Sequence, residues 1–264
     1  MTSHPPIDLT RYPIDKPGSP GYAALVEKAR SDMAATGACV LEGFTPAGDL
    51  PGMVAEVSPH LGKAFYKTKT HNAWLVEDDP SVPADHPRNV KQTTTSATLG
   101  YDCIPAESGL NAIYEWAPFR RFVADVLGYG TLYPYDDALA PVNVLVYEPG
   151  TETGWHFDGA RFTITLLLQE PEAGAAFEYA PFIRDADDDG YDEAGAVMDG
   201  TSDKLIAFNQ PAGCLVLFRG SKTLHRVTPV RGSRARLVAV LSYSPEPGTR
   251  LNPTTQQTFY GRVA

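Results

Sequence analysis

The sequence predicts a mainly β fold, a barrel or jelly roll packed against a helical N-terminal layer. Three observations predict it. Helical spacing is confined to the first half of the chain. Strand-like apolar runs crowd the second half from Pro141 onward. The turns between those runs are glycine-rich, at Gly150, Gly159, Gly174, Gly213, Gly220 and Gly232. With 264 residues, 43% of them apolar, the chain is long enough for one large core, and 23 Gly and 23 Pro favour turns over a helical bundle. No internal repeat or linker interrupts it. Residues 1–264 therefore read as a single domain, with an extended lead-in over 1–20, a helix-rich part over 21–130 and the β core over 131–264.

Taken in order, the stretch from Ala23 to Thr36 spaces Leu25, Val26, Ala29 and Met33 as a helix, which Gly37 ends. Cys39 to Leu41 reads as a short buried strand, and Pro51 to Leu61 as a second helix. Lys67 to His71 is merely polar, Trp74 to Val76 reads as a strand, and 78–89 as loop. Thr93 to Thr98 has β-propensity, yet is polar enough for an exposed edge or a wet cavity wall. Ser108 caps a helix from Leu110 to Trp116, and Pro118 opens another that Gly128 stops. The expected core strands are 142–147, 161–169, 177–179, 214–218 and 236–243. Asp185 to Gly190 begins like a calcium-binding loop, but Ala196 stands where that loop needs a bidentate Glu. The segment from Asp185 to Glu193 reads instead as a solvated acidic loop near a pocket.

Net charge is 22 − 32 = −10, which disfavours nucleic acid and anionic membrane surfaces as partners. No run of about 18 apolar residues exists to span a membrane, and the N-terminus lacks a signal pattern. Three widely spaced cysteines without a C-x-x-C pair give neither a thiolate zinc site nor a disulfide framework. Free thiols in a cytoplasmic protein are the expectation.

The chemistry-bearing stretch is Trp155-His156-Phe157-Asp158. Positions two apart at a strand end share a face, so His156 and Asp158 point the same way. A third ligand must come from another strand. Of the six histidines, His225 alone joins His156 at a strand border in the β-rich half; His4, His60, His71 and His86 fall elsewhere. Two imidazoles and one carboxylate, without Cys, match the facial triad of non-haem Fe(II). Arg236 stands at the mouth of an apolar strand, where its charge needs a partner. Arg231 and Arg234 flank Gly232 and Ser233 in what reads as a solvated turn. Arg236 is thus the candidate for gripping a carboxylate. Asn143 and Tyr147 share one strand face, and Thr163 and Thr165 share another; each is either structural or a neighbour of that carboxylate.

With these residues the chain resembles the Fe(II)/2-oxoglutarate-dependent dioxygenases, in particular a bacterial branch of free-amino-acid hydroxylases and free-lysine halogenases. The likeness runs from Trp74 to Arg262. It rests on Trp155 to Asp158, Thr165 to Gln169, Phe177 to Tyr179, Phe182 to Asp185, Leu224 to Pro229 and Arg236 to Val238. The resemblance implies a double-stranded β-helix, a cupin-like jelly roll, with Fe(II) on His156, Asp158 and His225. It implies 2-oxoglutarate on Arg236, with Asn143, Tyr147 and Thr165 as candidate neighbours, and O₂ as the second cosubstrate. The implied reaction is hydroxylation of an unactivated C–H bond in a small polar molecule such as a free amino acid, releasing succinate and CO₂. Arg88 is the candidate for a substrate carboxylate on the same ground. Halogenases of this branch replace the triad carboxylate by a small residue to admit chloride. This chain keeps Asp158, so hydroxylation is the expectation. Competing readings are a non-catalytic metal- or ligand-binding module and a hydroxylase of peptide or carrier-bound substrates.

Overall fold

The computed structural model describes residues 5–264. His4 and the start of the expected lead-in lie outside the described residues. Residues 5–19 are not extended but wound into turns, with Ile7, Tyr12 and Ile14 buried. The Tyr12 hydroxyl fastens them by donating to the Glu42 carbonyl at 2.7 Å.

Helix α1 (Pro20–Thr36) starts where the Ser19 side chain accepts from the Tyr22 amide, and ends at Gly37 with φ of 72°. It buries Tyr22, Val26, Ala29 and Met33, one stripe of its surface. Strand β1 (Ala38–Leu41) follows, then α2 (Leu50–Val57), shorter than expected because a 3₁₀ turn over Ser58–Lys63 takes over. Next come β2 (Phe65–His71), β3 (Gln92–Leu99), α3 (Gly109–Glu115) and α4 (Ala117–Leu127), the last stopped by Gly128 at φ of 80°. The later strands are β4 (Tyr133–Pro134), β5 (Val142–Tyr147), β6 (Thr153–His156), β7 (Thr163–Gln169), β8 (Ala173–Gly174) and β9 (Phe177–Ala180). Helix α5 (Tyr191–Met198) is followed by β10 (Ile206–Phe208), β11 (Leu215–Phe218), β12 (Leu224–Val227), β13 (Val230–Arg231), β14 (Arg236–Leu241), β15 (Tyr243–Ser244) and α6 (Pro253–Tyr260).

Two antiparallel sheets form the jelly roll. The major sheet runs β1-β11-β7-β14-β5-β3-β2 and the minor sheet β10-β9-β12-β6. Strand parity sorts the core. Val144, Val146, Leu166, Leu215, Leu237 and Ala239 face the helical layer, together with Val26 and Phe122. The opposite parity, Tyr147, Leu167 and Val238, meets Ala175, Val227 and Val230 between the sheets. The mainly β fold with a helical layer is therefore as expected, but the β core is not confined to 131–264. Strands β1, β2 and β3 complete the major sheet from the first half.

Four local expectations are corrected. Lys67–His71 belongs to a strand, because β2 pairs with β3 from Phe65↔Thr98 to His71↔Gln92. The segment from Trp74 to Val76 is a turn with Leu75 at φ of 57°. Of the two readings of the threonine-rich β3, the edge is excluded, since β2 pairs along one side and β5 pairs with the other at Ala97–Leu99. The acidic segment does loop at Asp185–Asp189, but residues 191–193 already belong to α5. The loop's acids turn inward on the backbone, Asp185 accepting from the Asp187 and Asp188 amides and Asp188 from that of Gly190. All three cysteines are free; burial raises Cys39 and Cys214 to about 12, so neither is a reactive thiolate.

Candidate metal centre

Strand pairing explains how distant residues meet. In the β6–β12 pair, His156 stands directly across from His225. Opposed residues of antiparallel strands hold their side chains on one face about 5 Å apart, and the two imidazole centroids lie 4.1 Å apart. Asp158, just past the end of β6, is fixed by its amide donating to the Gly220 carbonyl at 3.0 Å. Its Oδ1 lies 3.4 Å from His156 Nε2 and 3.5 Å from His225 Nε2. The three ligand atoms all fall within 4.8 Å of one another.

Hydrogen bonds around the cluster set its protonation. His156 Nδ1 donates to the Gly154 carbonyl and His225 Nδ1 to the Thr223 carbonyl, each at 2.9 Å. A carbonyl only accepts, so in the neutral imidazoles both Nε2 lone pairs face Asp158. Thr163 Oγ1 donates to Asp158 Oδ2 at 2.6 Å, leaving Oδ1 toward the imidazoles. Thr163 thus holds the carboxylate instead of reaching a cosubstrate. A Cβ at Gly220 would collide with the same carboxylate, so this position has room only for glycine. Burial pushes Asp158 up, but without a metal, protons carried on the two Nε2 atoms outweigh it and hold the carboxyl well below the usual range; a metal ion would take the place of those protons. Burial and the neighbouring His156 push His225 down. An anionic carboxylate beside two neutral imidazoles is the donor set a divalent metal requires.

Arg236 lies on the face of β14 that looks between the sheets, directly across from Tyr147 of β5. It is 4% exposed, donates to Gln210 Oε1 at 3.0 Å, and its guanidinium carbon sits 5.5 Å from the centre of the Tyr147 ring. Among the described residues no carboxylate pairs with it. Burial pulls its pKa below the ordinary guanidinium value. A buried cation without a counter-charge is costly, and a carboxylate ligand would supply one. Arg231 is exposed, and Arg234 donates to the Glu170 and Pro171 carbonyls at the surface.

The remaining candidates are spread more widely. The Tyr147 hydroxyl bonds Thr153 Oγ1 at 2.9 Å, tying the Arg236 side of the site to the strand that carries His156. Thr165 faces the same interior, paired with Val240, which is in turn paired with Asn143. Asn143 donates to the Tyr260 hydroxyl of α6 at 3.3 Å. Arg88 is not brought to the triad by any direct contact. It pairs with Asp79 at 3.2 Å, while its Nε is buried without a partner. A run of ring contacts, Tyr191 to Trp74 at 4.8 Å and Trp74 to Phe157 at 5.6 Å, joins that region to the His-x-Asp stretch.

A family described as Halogenase D matches residues 85–260. The chain belongs to this family. Solved structures share the fold at low identity. An oxidoreductase of the 2OG-Fe(II) oxygenase family from Burkholderia pseudomallei is 15% identical at a TM-score of 0.53, over 85% of this chain and 92% of that one. A prolyl-4-hydroxylase from Pseudomonas putida is 17% identical at 0.51, over 82% and 97%. HygX from Streptomyces hygroscopicus, solved with nickel, 2-oxoglutarate and hygromycin B, is 13% identical at 0.57, over 85% and 89%. No curated protein matches the chain. In this member of the Halogenase D family the position two beyond His156 is a carboxylate. The structure turns that carboxylate toward both imidazoles.

Proposed function

We propose that the chain is an Fe(II)/2-oxoglutarate-dependent oxygenase that hydroxylates a small polar molecule, a free amino acid being the preferred class. The observation that carries the reading is one constellation. Two Nε2 atoms and Asp158 Oδ1 converge, and a buried Arg236 without a counter-ion shares the adjoining interior. His156, Asp158 and His225 would hold the iron, and Arg236 the far carboxylate of 2-oxoglutarate, with Tyr147, Thr165 and Asn143 lining that side. When bound, iron with 2-oxoglutarate and O₂ supplies the oxidant for C–H hydroxylation, with succinate and CO₂ released.

The protein's own part is positional. The Gly154 and Thr223 carbonyls orient the two imidazoles, and Thr163 orients the carboxylate. Asp158 fills the place that a halogenase would leave to chloride, which favours hydroxylation despite the family's name. Arg88, whose Nε lacks a partner, remains the candidate for a substrate carboxylate. Residues 1–264 are taken to act as one domain.

The test is aerobic incubation with Fe(II), 2-oxoglutarate, chloride and a panel of free amino acids. An amino-acid-dependent rise in succinate with a product heavier by one oxygen is expected, and with isotopically labelled dioxygen that oxygen carries the label. A chlorinated product would overturn hydroxylation. Wild-type metal content in His225→Ala would sink the triad assignment.

A further inference from the structure

His71 lies outside every motif that the site's chemistry calls for. It ends β2, is 9% exposed, and its ring centroid is 6.3 Å from that of His156. Its Nδ1 donates to the Asn72 carbonyl at 2.9 Å. That bond leaves Nε2 of the neutral ring as an acceptor, 2.8 Å from Thr94 Oγ1. The Thr94 hydroxyl in turn accepts from the Gly154 amide at 3.1 Å, and the carbonyl of that same Gly154 accepts from His156 Nδ1.

These four bonds have one consistent direction. Each of the three inner groups donates once and accepts once, from His156 Nδ1–H through Gly154, Thr94 and His71 to the Asn72 carbonyl. The segment beyond His71 is stitched on the other side of the ligand as well, since the Phe157 amide donates to the Ala73 carbonyl at 2.8 Å. Gly154 is held tightly here, because any Cβ would strike the Thr93 carbonyl and the Gln92 side chain. The peptide that orients His156 is therefore clamped from β3, and β3 is steadied from β2.

We infer that Thr94 and His71 are positioning residues for the metal ligand His156, fixing the Gly154 carbonyl that selects its tautomer and ring orientation. The inference rests on the proposed metal site. Groups one step behind a metal ligand typically change metal affinity about 10- to 100-fold when removed.

The experiment is anaerobic calorimetric titration of Co(II) into the full chain, with the visible spectrum of the Co(II) form recorded alongside. The variants are Thr94→Val, Thr94→Ser and His71→Phe. Valine keeps the shape and loses the hydroxyl; serine keeps the hydroxyl. Thr94→Val is expected to weaken Co(II) roughly 10-fold or more and to shift the spectrum, with Thr94→Ser close to wild type. His71→Phe is expected to weaken Co(II) in the same direction. The double variant Thr94→Val with His71→Phe is expected to be no worse than Thr94→Val alone, since both act through one series. Wild-type affinity and spectrum in Thr94→Val would overturn the inference, whatever happens to its thermal stability. If wild type itself fails to bind Co(II), the site reading fails. If wild type binds and Thr94→Val is indifferent, only the positioning role fails.

Discussion

Among individual residues, Arg236 carries the sharpest consequence. Its guanidinium is buried on Gln210 and Tyr147 with no carboxylate partner among the described residues, and the proposed function gives it an anion that arrives from outside. Hydrogen bonds to charged groups contribute about 1.5–3 kcal/mol. Arg236→Met is therefore expected to weaken 2-oxoglutarate roughly 10- to 100-fold, and calorimetry with the metal-loaded protein measures this directly. The histidines give a pH signature. Burial holds both His71 and His225 below the ordinary value of 6.5. The unfolded chain then takes up protons before the folded one does. Their contribution to stability is complete above about pH 6.5 and is lost as the pH falls below it. Thermal midpoints of the metal-free protein should drop between about pH 7 and pH 5, and less steeply in His71→Asn. A flat profile would contradict the burial of these rings. The cluster of His156, Asp158 and His225 was legible because metal chemistry restricts donors to a few types, and one His-x-Asp stands in the β-rich half. Thr163 was legible only as a polar strand residue. Its bond to Asp158 depends on a turn that spacing does not specify. His71 was illegible, since nothing in its own stretch says which strand it will lie beside.

At the scale of elements, the instructive failure is β2. Its sequence, Phe-Tyr-Lys-Thr-Lys-Thr-His, shows little apolar alternation because it is the last strand of its sheet and mostly solvated. Local patterning reports burial, and an edge strand has little burial to report. The threonines of β3 misled in the opposite sense. They are polar, yet the strand is interior, because Thr94 spends its hydroxyl on His71 and Gly154, and Thr95 faces Thr68. Helix α1 was legible because an apolar stripe runs up to a glycine stop, and α4 because a Pro start and a glycine stop bracket it; the Ser19 cap of α1 was not read. Helix α5 was hidden by the acidic run before it. Its start depends on Gly190, at φ of 67°, where a Cβ would collide with the Ile183 carbonyl. Gly190→Ala is expected to cost about 1–3 kcal/mol and to loosen the cover over Trp74 and Phe157. Chemical denaturation reads the first effect, and amide exchange in residues 191–198 the second.

For the whole molecule, the jelly roll was legible in outline and not in membership. Glycine-rich turns between apolar runs announced a β core, but the strands contributed by the first half carry no label of which sheet they join. The major sheet threads β1, β2 and β3 into the later strands, so the two halves of the sequence share one sheet and one core. A single cooperative thermal transition is expected, with calorimetric and van't Hoff enthalpies in agreement. Two separated transitions would contradict the single-domain reading. On the proposed reading Asp158 is the feature on which the chemistry turns, because it places a carboxylate where a halogenase would leave room for chloride. The claim that unites these levels is that the triad and Arg236 form one site for iron and 2-oxoglutarate. Anaerobic titration of 2-oxoglutarate into the Fe(II)-loaded chain tests it most directly, with the metal-free chain as reference. One equivalent bound in the presence of iron and much weaker binding in its absence is the predicted result. Equal binding with and without iron, or binding that survives Arg236→Met unchanged, would contradict it.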